Sequence, residues 1–435
     1  MSAINTLPQP RLTAAEQERL QAVTQRPVLQ TLLALLNDDE ATTLIVGGAV
    51  RNALLGHPVA DIDLATTLTP EAVIKRAERA GIKTVATGLE HGTLTLVLEG
   101  HGFEVTTLRQ DIETDGRRAT IAYSTSFLED AQRRDFTMNA LYVDHAGVLY
   151  DPVAGLEDVR QRHLRFIGDA QTRIREDYLR ILRFFRFFAA YSDDAIDATG
   201  LEACLALKDG LATLSRERIG HEFIKMLMAR RASETVTLIH HQGLTSALFP
   251  IPLFPDRLTA LLALMPDAHE MTRVFALFDP ALAMIDTCQS LLRLSNSQTA
   301  HLTRLARALA DLPQHPSSDQ PQRIALQIWA FQHTAPIASD ALALHFARNL
   351  AADPKAAQSR LHDLLALLVG LPAQSPFSGR DFLAQGIKSG PHLGEMLRKA
   401  DILWIEAGFP DDPALLQDLV RRVVNQETAL LERGP

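Results

Sequence analysis

The sequence predicts an α+β chain, with a small mixed head of about 100 residues followed by a long all-α remainder. Three observations predict this. Between residues 44 and 150, short β-rich runs (TLIVGG, DIDLAT, GTLTLVLEG, FEVTTLR, ALYVD, GVLYDP) are separated by Gly, Asp and His turns. Beyond Asp151 the apolar residues recur at helical spacing and no convincing strand remains. The length of 435 residues accommodates about three domains, each with its own core.

Residues 1–40 carry two helical patterns, TAAEQERLQAV and VLQTLLALL. Within the head, PEAVIKRAERAG (70–81) predicts a helix, with Pro70 in the first turn and Gly81 as the stop. The helical remainder is interrupted at PIPLFPD (250–256), LPQHPSSDQP (312–321) and LPAQSPFSG (371–379), which read as connections. No fixed-period repeat and no low-complexity tract is present.

A hydrophobic content of 46% and a charged content of 22% are ordinary for a globular protein. No apolar run reaches the ~18 residues of a membrane span, and MSAINTLPQPRLTAAEQERL lacks the basic and apolar regions of a signal peptide. Cys204 and Cys288 are too few for a disulfide framework or a zinc cluster, so a thiol-reduced, cytoplasmic protein is expected. The net charge of −9 argues against a protein that coats polyanions. Yet eight arginines lie between Arg160 and Arg186 against only Asp169, Glu176 and Asp177, which marks a candidate phosphate or nucleic-acid site.

The stretch LIVGGAVRNALLGHPVADIDLAT (44–66) supplies the chemistry. On a strand, Asp61 and Asp63 share a face while Ile62 turns to the core. Carboxylates that close repel unless a cation lies between them, and Mg²⁺ binds through one or two carboxylates plus substrate phosphates. Gly47 and Gly48 sit at a strand-to-helix turn, where backbone can approach a phosphate, and Arg51 falls in the first helical turn. A dinucleotide fold does not fit, because G-x-G-x-x-G is absent and the acids come too soon. HGFEVTTLR (101–109) alternates like a half-buried strand and places Glu104 as a third carboxylate, as two-metal phosphoryl transfer requires.

A second constellation follows. LEDAQRRDFTMNALYVD (128–144) presents Arg133, Arg134 and Asp135, and RIREDYLRILRFFRFF (173–188) presents Asp177, Arg180, Arg183 and Arg186. Read as one helix, positions 177, 180 and 183 are successive neighbours in a markedly apolar setting, so the arginines must be paired or face a ligand. Asp177 and Arg180 together could imitate the pairing edge of a base, suiting cytosine and adenine and rejecting uracil.

Taken together, GGAVRN…DIDLAT, FEVTTLR, RRDFTMNAL, DPVAGLEDVRQRHLRFIGD, EDYLRILRFFRF and LSRERIGHEF resemble the class II tRNA nucleotidyltransferase and bacterial poly(A) polymerase family over about 44–225. A weaker likeness follows at SGRDFLAQGIKSGPHLGEMLRKA (378–400), and 230–370 shows none. The resemblance implies a polymerase-β-like nucleotidyltransferase head at 25–150, a helical neck at 151–230, a body at 231–370 and a tRNA-binding tail at 371–435. It further implies that Asp61 and Asp63 bind Mg²⁺, with Glu104 supporting them. Gly48 and Arg51 would hold the triphosphate, and Arg134 and Asp135 would contact nucleotide phosphate and ribose. Asp177 and Arg180 would select CTP and then ATP, with Arg183 and Arg186 supporting that template or the phosphates. The family motif normally ends in Asp where this chain has Asn52, which bears on local loop ordering more than on catalysis.

CCA addition to tRNA is favoured over poly(A) synthesis. TGLEHGTLTLVLEG (87–100) resembles the tRNA-specific members, and the C-terminal VRRVVNQETALLERGP is no basic extension. A catalytically inactive RNA-binding relative is the third reading. His362-Asp363 sits in a helical pattern and reads as helix surface, so an HD phosphohydrolase appendage is not expected. The expected partners are tRNA, CTP and ATP, without a membrane, for a monomer or homodimer.

Overall fold

A computed structural model describes residues 4, 6–89, 92–115, 118–193, 195–279, 281–314, 316–348 and 354–432. Two compact units are present, Met1–Pro250 and Ile251–Pro435. Their boundary falls at the proline-rich connection 250–256 that the sequence marks as a break.

The first unit is built on a seven-stranded sheet of order β3-β4-β5-β2-β1-β8-β9. The strands are β1 Thr43–Val46, β2 Asp63–Thr66, β3 Lys83–Gly88, β4 Thr93–Leu98, β5 His101–Thr107, β8 Tyr142–Val143 and β9 Leu149–Tyr150. A separate two-stranded antiparallel sheet pairs β6 Arg109–Asp115 with β7 Arg118–Tyr123. Only the β2–β5 pair is parallel, with Asp63 opposite Glu104 and Thr66 opposite Thr107. The neighbouring pairs, β1–β2 and β4–β5, are antiparallel.

All four residues of β1 are buried, as a central strand requires. One face packs Leu44, Val46, Ala65, Leu108, Phe127 and Tyr142 into a common core. Helix Pro70–Arg79 starts as its sequence predicts, with Pro70 at the first position and the Thr69 side chain capping Ala72 N–H. Gly81 follows at φ 70°, a left-handed stop that glycine adopts without strain. Strands β3, β6 and β7 are not foreseen from the sequence, since KTVATG, RQDIETD and RATIAY lack a sustained apolar alternation.

After Tyr150 no further strand occurs among the described residues, as the helical texture predicts. Helix Gly155–Arg160 lies against residues 137–139. A Cβ on Gly155 would stand 2.2 Å from the Thr137 carbonyl oxygen, so only glycine permits this approach. The run 173–188 is two helices rather than one. Ala170–Glu176 ends at Asp177, whose extended backbone (φ −155°, ψ 106°) separates it from Leu179–Tyr191. The latter buries Ile181, Leu182, Phe184, Phe185, Phe187 and Phe188, and packs on Arg216–Leu227.

The second unit is helical throughout among the described residues, from Pro255–Leu264 to Pro413–Glu432. Trp404 anchors its C-terminal cluster with Phe331, Phe377 and Phe409. His362 and Asp363 are exposed on helix Pro354–Ala366, in keeping with a plain helix surface. No single helix is long and apolar enough to cross a membrane among the described residues.

Candidate active site

Asp63 opens β2, and Asp61 stands exposed two residues before it, with Ile62 buried between them at 4% exposure. The strand thus begins later than the sequence suggests, but the in-out alternation around Ile62 is present. Parallel pairing sets Glu104, exposed on β5, directly across from Asp63. Among the described residues, no hydrogen bond or ion pair reaches these three carboxylates. Burial, then the nearby Glu104 charge, push the Asp63 carboxyl above its ordinary range, with Asp61 adding to the effect.

Such a repelling group fits a divalent cation held by two carboxylates and completed by substrate oxygens. The sequence reading assigns the cation to Asp61 and Asp63, with Glu104 in support from a neighbouring strand, and the register places Glu104 there. No three His, Cys, Asp or Glu side chains among the described residues converge to hold one ion. Glu104 stands beside the aspartates on its own strand, β5.

The glycine turn lies at the end of β1. Gly47 adopts φ 73°, and helix Gly48–Leu55 begins immediately after it. Arg51, in that helix, is buried at 5% exposure. Its Nη1 donates to Asn139 Oδ1 at 2.5 Å, and its Nη2 to Asn52 Oδ1 at 2.9 Å and to the Tyr191 hydroxyl at 2.7 Å. The guanidinium also lies 3.9 Å from the Tyr191 ring centroid. These contacts are all neutral, and burial lowers the Arg51 pKa to about 10. Asn52, where the family motif has Asp, donates from Nδ2 to the Pro58 carbonyl at 3.2 Å and so ties down the following loop.

Arg134 and Asp135 are anchored rather than free. Arg134 Nε donates to Asp130 Oδ2 at 3.0 Å and to the Tyr142 hydroxyl at 3.2 Å. Asp130 is 1% exposed; burial opposes its charge, but Arg134 and Arg133 bring its pKa down to about 2. Asp135 accepts from Asn139 Nδ2 at 3.0 Å and from Arg183 Nε and Nη2 at 2.8 and 2.5 Å. Burial opposes the Asp135 charge too, and Arg183 more than offsets it, to about 2.

The arginine stripe is a chain of ion pairs. Arg183 also lies 3.8 Å from Glu222, and Arg186 Nε donates to Glu222 at 2.5 Å. Arg180 pairs with Glu176 and donates to the Arg173 and Arg133 carbonyls at 2.8 and 3.0 Å. Asp177 does not share a helix face with Arg180. At the break, its Oδ1 accepts from Leu179 N–H at 3.0 Å and its Oδ2 from Arg218 at 2.6 Å. Aspartate prefers such a bond from its side chain to the backbone N–H two residues on over a helix interior, which explains the break.

The excess of positive charge read between Arg160 and Arg186 is therefore local to the sequence. Seven of its eight arginines pair with carboxylates, on Glu16, Asp193, Asp158, Glu176, Glu176, Asp135 and Glu222 in chain order. Arg175 donates to Gln171 at 2.8 Å. Sequence reasoning missed Asn139, Tyr191, Arg218 and Glu222. Asn139 lies inside RRDFTMNAL, and Arg218 and Glu222 inside LSRERIGHEF, whereas Tyr191 meets Arg51 across 140 positions with no local signal.

Residues 43–165 match the model of the poly A polymerase head domain, and residues 195–252 match the probable RNA and SrmB-binding site of polymerase A. The CCA-adding enzyme of Streptococcus pyogenes serotype M2 is 31% identical over 385 residues, covering 86% of this chain and 92% of that protein. The mitochondrial CCA tRNA nucleotidyltransferase 1 of Danio rerio is 44% identical over 203 residues, 46% of this chain. The chain spans about half the length of that relative, at 47%. The crystal structure of the Bacillus stearothermophilus CCA-adding enzyme, solved with CTP, superposes with a TM-score of 0.62 at 26% identity, covering 92% of this chain and 98% of that one. With a relative above 30% identity aligned over nearly its full length, this chain belongs to the CCA-adding enzyme family of nucleotidyltransferases.

Proposed function

We propose that this chain adds CCA to the 3′ end of tRNA from CTP and ATP. The observation that carries the reading is the parallel register of Asp63 with Glu104, beside exposed Asp61. In this reading Asp61 and Asp63 hold Mg²⁺, which supplies charge neutralisation to the phosphates and activates the attacking hydroxyl when bound. Glu104, paired with Asp63 from the adjacent strand, adds a third negative charge that strengthens the attraction of the site for a cation. Gly48 and Arg51 take the triphosphate, and the neutral cage around Arg51 leaves its positive charge available to it.

The RNA 3′-hydroxyl oxygen forms a bond to the α-phosphorus, the bond from that phosphorus to the α–β bridging oxygen breaks, and pyrophosphate departs. The hydroxyl proton is released to water. Asp177 and Arg180 read the base edge, with Arg218 and Glu176 as the partners that the base displaces. Arg134 and Asp135, braced by Asp130 and Arg183, position ribose and phosphate, and Arg183 and Arg186 hold the reading helix from behind. The division into head 25–150, neck 151–230, body 231–370 and tRNA-binding tail 371–435, and a cytoplasmic location, belong to the same proposal.

The test is incubation of the purified chain with Mg²⁺, CTP, ATP and a tRNA truncated before its CCA end. Two cytidines followed by one adenosine are expected. A long adenosine tract identifies a poly(A) polymerase instead, and no incorporation identifies an inactive RNA-binding relative.

A further inference from the structure

Next to Arg51 the first unit carries a cationic cluster that the nucleotide reading does not use. His57 stacks on Tyr191, with ring centroids 6.0 Å apart and planes inclined by 27°. Tyr191 in turn lies under the Arg51 guanidinium. Beyond this stack, Arg162 Nε pairs with Asp193 at 3.0 Å, and Arg230 pairs with the other end of the same carboxylate story: its Nη2 bonds Asp193 Oδ1 and also the Ser192 carbonyl, the latter at 2.8 Å.

Two arginines therefore share one carboxylate. Their side chains are 30% and 56% exposed and that of Asp193 is 48% exposed, so solvent and ligand reach the cluster. The excess positive charge acts on its surroundings. Burial and then Arg162, Arg51 and Arg230 lower the His57 pKa, so the imidazole is a neutral stacking surface at physiological pH. A cationic pair beside a half-exposed aromatic stack is the combination that holds single-stranded nucleic acid, phosphate on the arginines and base on the rings.

We propose that Arg162 and Arg230, with the His57–Tyr191 stack, form a subsite for the phosphodiester backbone of the RNA acceptor as it approaches the carboxylates. Asp193 holds the arginines until the phosphate replaces it. This rests on the reading of the chain as an enzyme acting on an RNA 3′ end. The shared chemistry is phosphate, and the source assigned is the RNA backbone rather than the triphosphate of the nucleotide.

The experiment measures fluorescence anisotropy of 3′-truncated tRNA, without nucleotide, over a range of salt, for the full chain and two variants. Arg230→Ala is expected to weaken binding on the order of tenfold and to reduce the salt slope by about one. Asp193→Asn is expected to tighten RNA binding, because it releases both arginines. A structural clamp would give the opposite sign, since both variants would then lower the melting midpoint and neither would tighten binding. KM for CTP, measured in parallel, is expected to stay within about twofold; a change confined to KM for CTP assigns the phosphate to the nucleotide and overturns the proposal. Unchanged RNA affinity in both variants also overturns it. Failure of the unsubstituted chain to bind tRNA overturns the functional reading together with the subsite, whereas binding that ignores both substitutions sinks the subsite alone.

Discussion

Asp135→Asn tests the clamp beneath the proposed nucleotide site. The substitution keeps the side-chain shape and removes the charge that Arg183 grips through two donors. Asp135 is 8% exposed, so little solvent screening discounts the interaction. Its pKa falls from 3.8 to about 2, close to two units, and each unit is worth about 1.4 kcal/mol, which gives about 2 to 3 kcal/mol. Removing one partner of a buried pair sets an upper bound of about 5 kcal/mol. The depressed folded value also fixes the pH window. Stability from this carboxylate is fully present above pH 3.8 and is lost as pH falls through about 2. Urea unfolding followed by far-UV circular dichroism measures the difference, and tryptophan fluorescence supplies a control, because Trp329 and Trp404 both lie in the second unit. A midpoint unchanged at neutral pH, or a deficit that persists undiminished at pH 2, would refute the reasoning.

Four further outcomes are expected. Asp63→Asn should reduce nucleotide incorporation by about a thousandfold or more while leaving the melting midpoint equal or higher, since it relieves repulsion with Glu104 and Asp61; a large loss of stability would contradict this. In the metal-free chain the Asp63 carboxyl is raised, so a proton competes with Mg²⁺ there, and the Mg²⁺ concentration needed for half-maximal incorporation should rise as pH falls; a requirement independent of pH would contradict this. Arg180→Ala should erode the preference for CTP over UTP more than it changes Mg²⁺ dependence, and an unaltered ratio removes Arg180 from base selection. Gly155→Ala should destabilise the first unit by about 1–3 kcal/mol, given the 2.2 Å approach to the Thr137 carbonyl, and a wild-type melting curve would show that the helix can back away.

The carboxylates were legible because their signal is local. Asp61, Ile62 and Asp63 alternate, and so do Phe103, Glu104 and Val105, which is enough to expect acids on neighbouring strands. What spacing alone did not give was the pairing that sets Asp63 against Glu104 across β2 and β5. Asp177 misled for a physical reason: helical periodicity continues through it, yet its carboxylate satisfies Leu179 N–H better than a helix interior would allow. The arginine run misled because its partners come from Glu16, Asp135, Asp158, Asp193 and Glu222, and charge balance is settled in space rather than along the chain. Strands β3, β6 and β7 escaped because their runs carry too few apolar residues to show a period.

Arg183 stands between two anions, bonded to Asp135 on one side and 3.8 Å from Glu222 on the other. A slight pivot of helix Leu179–Tyr191 therefore hands the cation from one acid to the next without leaving it bare. In the proposed function, such a pivot would keep the guanidinium matched to an opposite charge throughout, so the contacts that fix the resting position would not oppose a small departure from it.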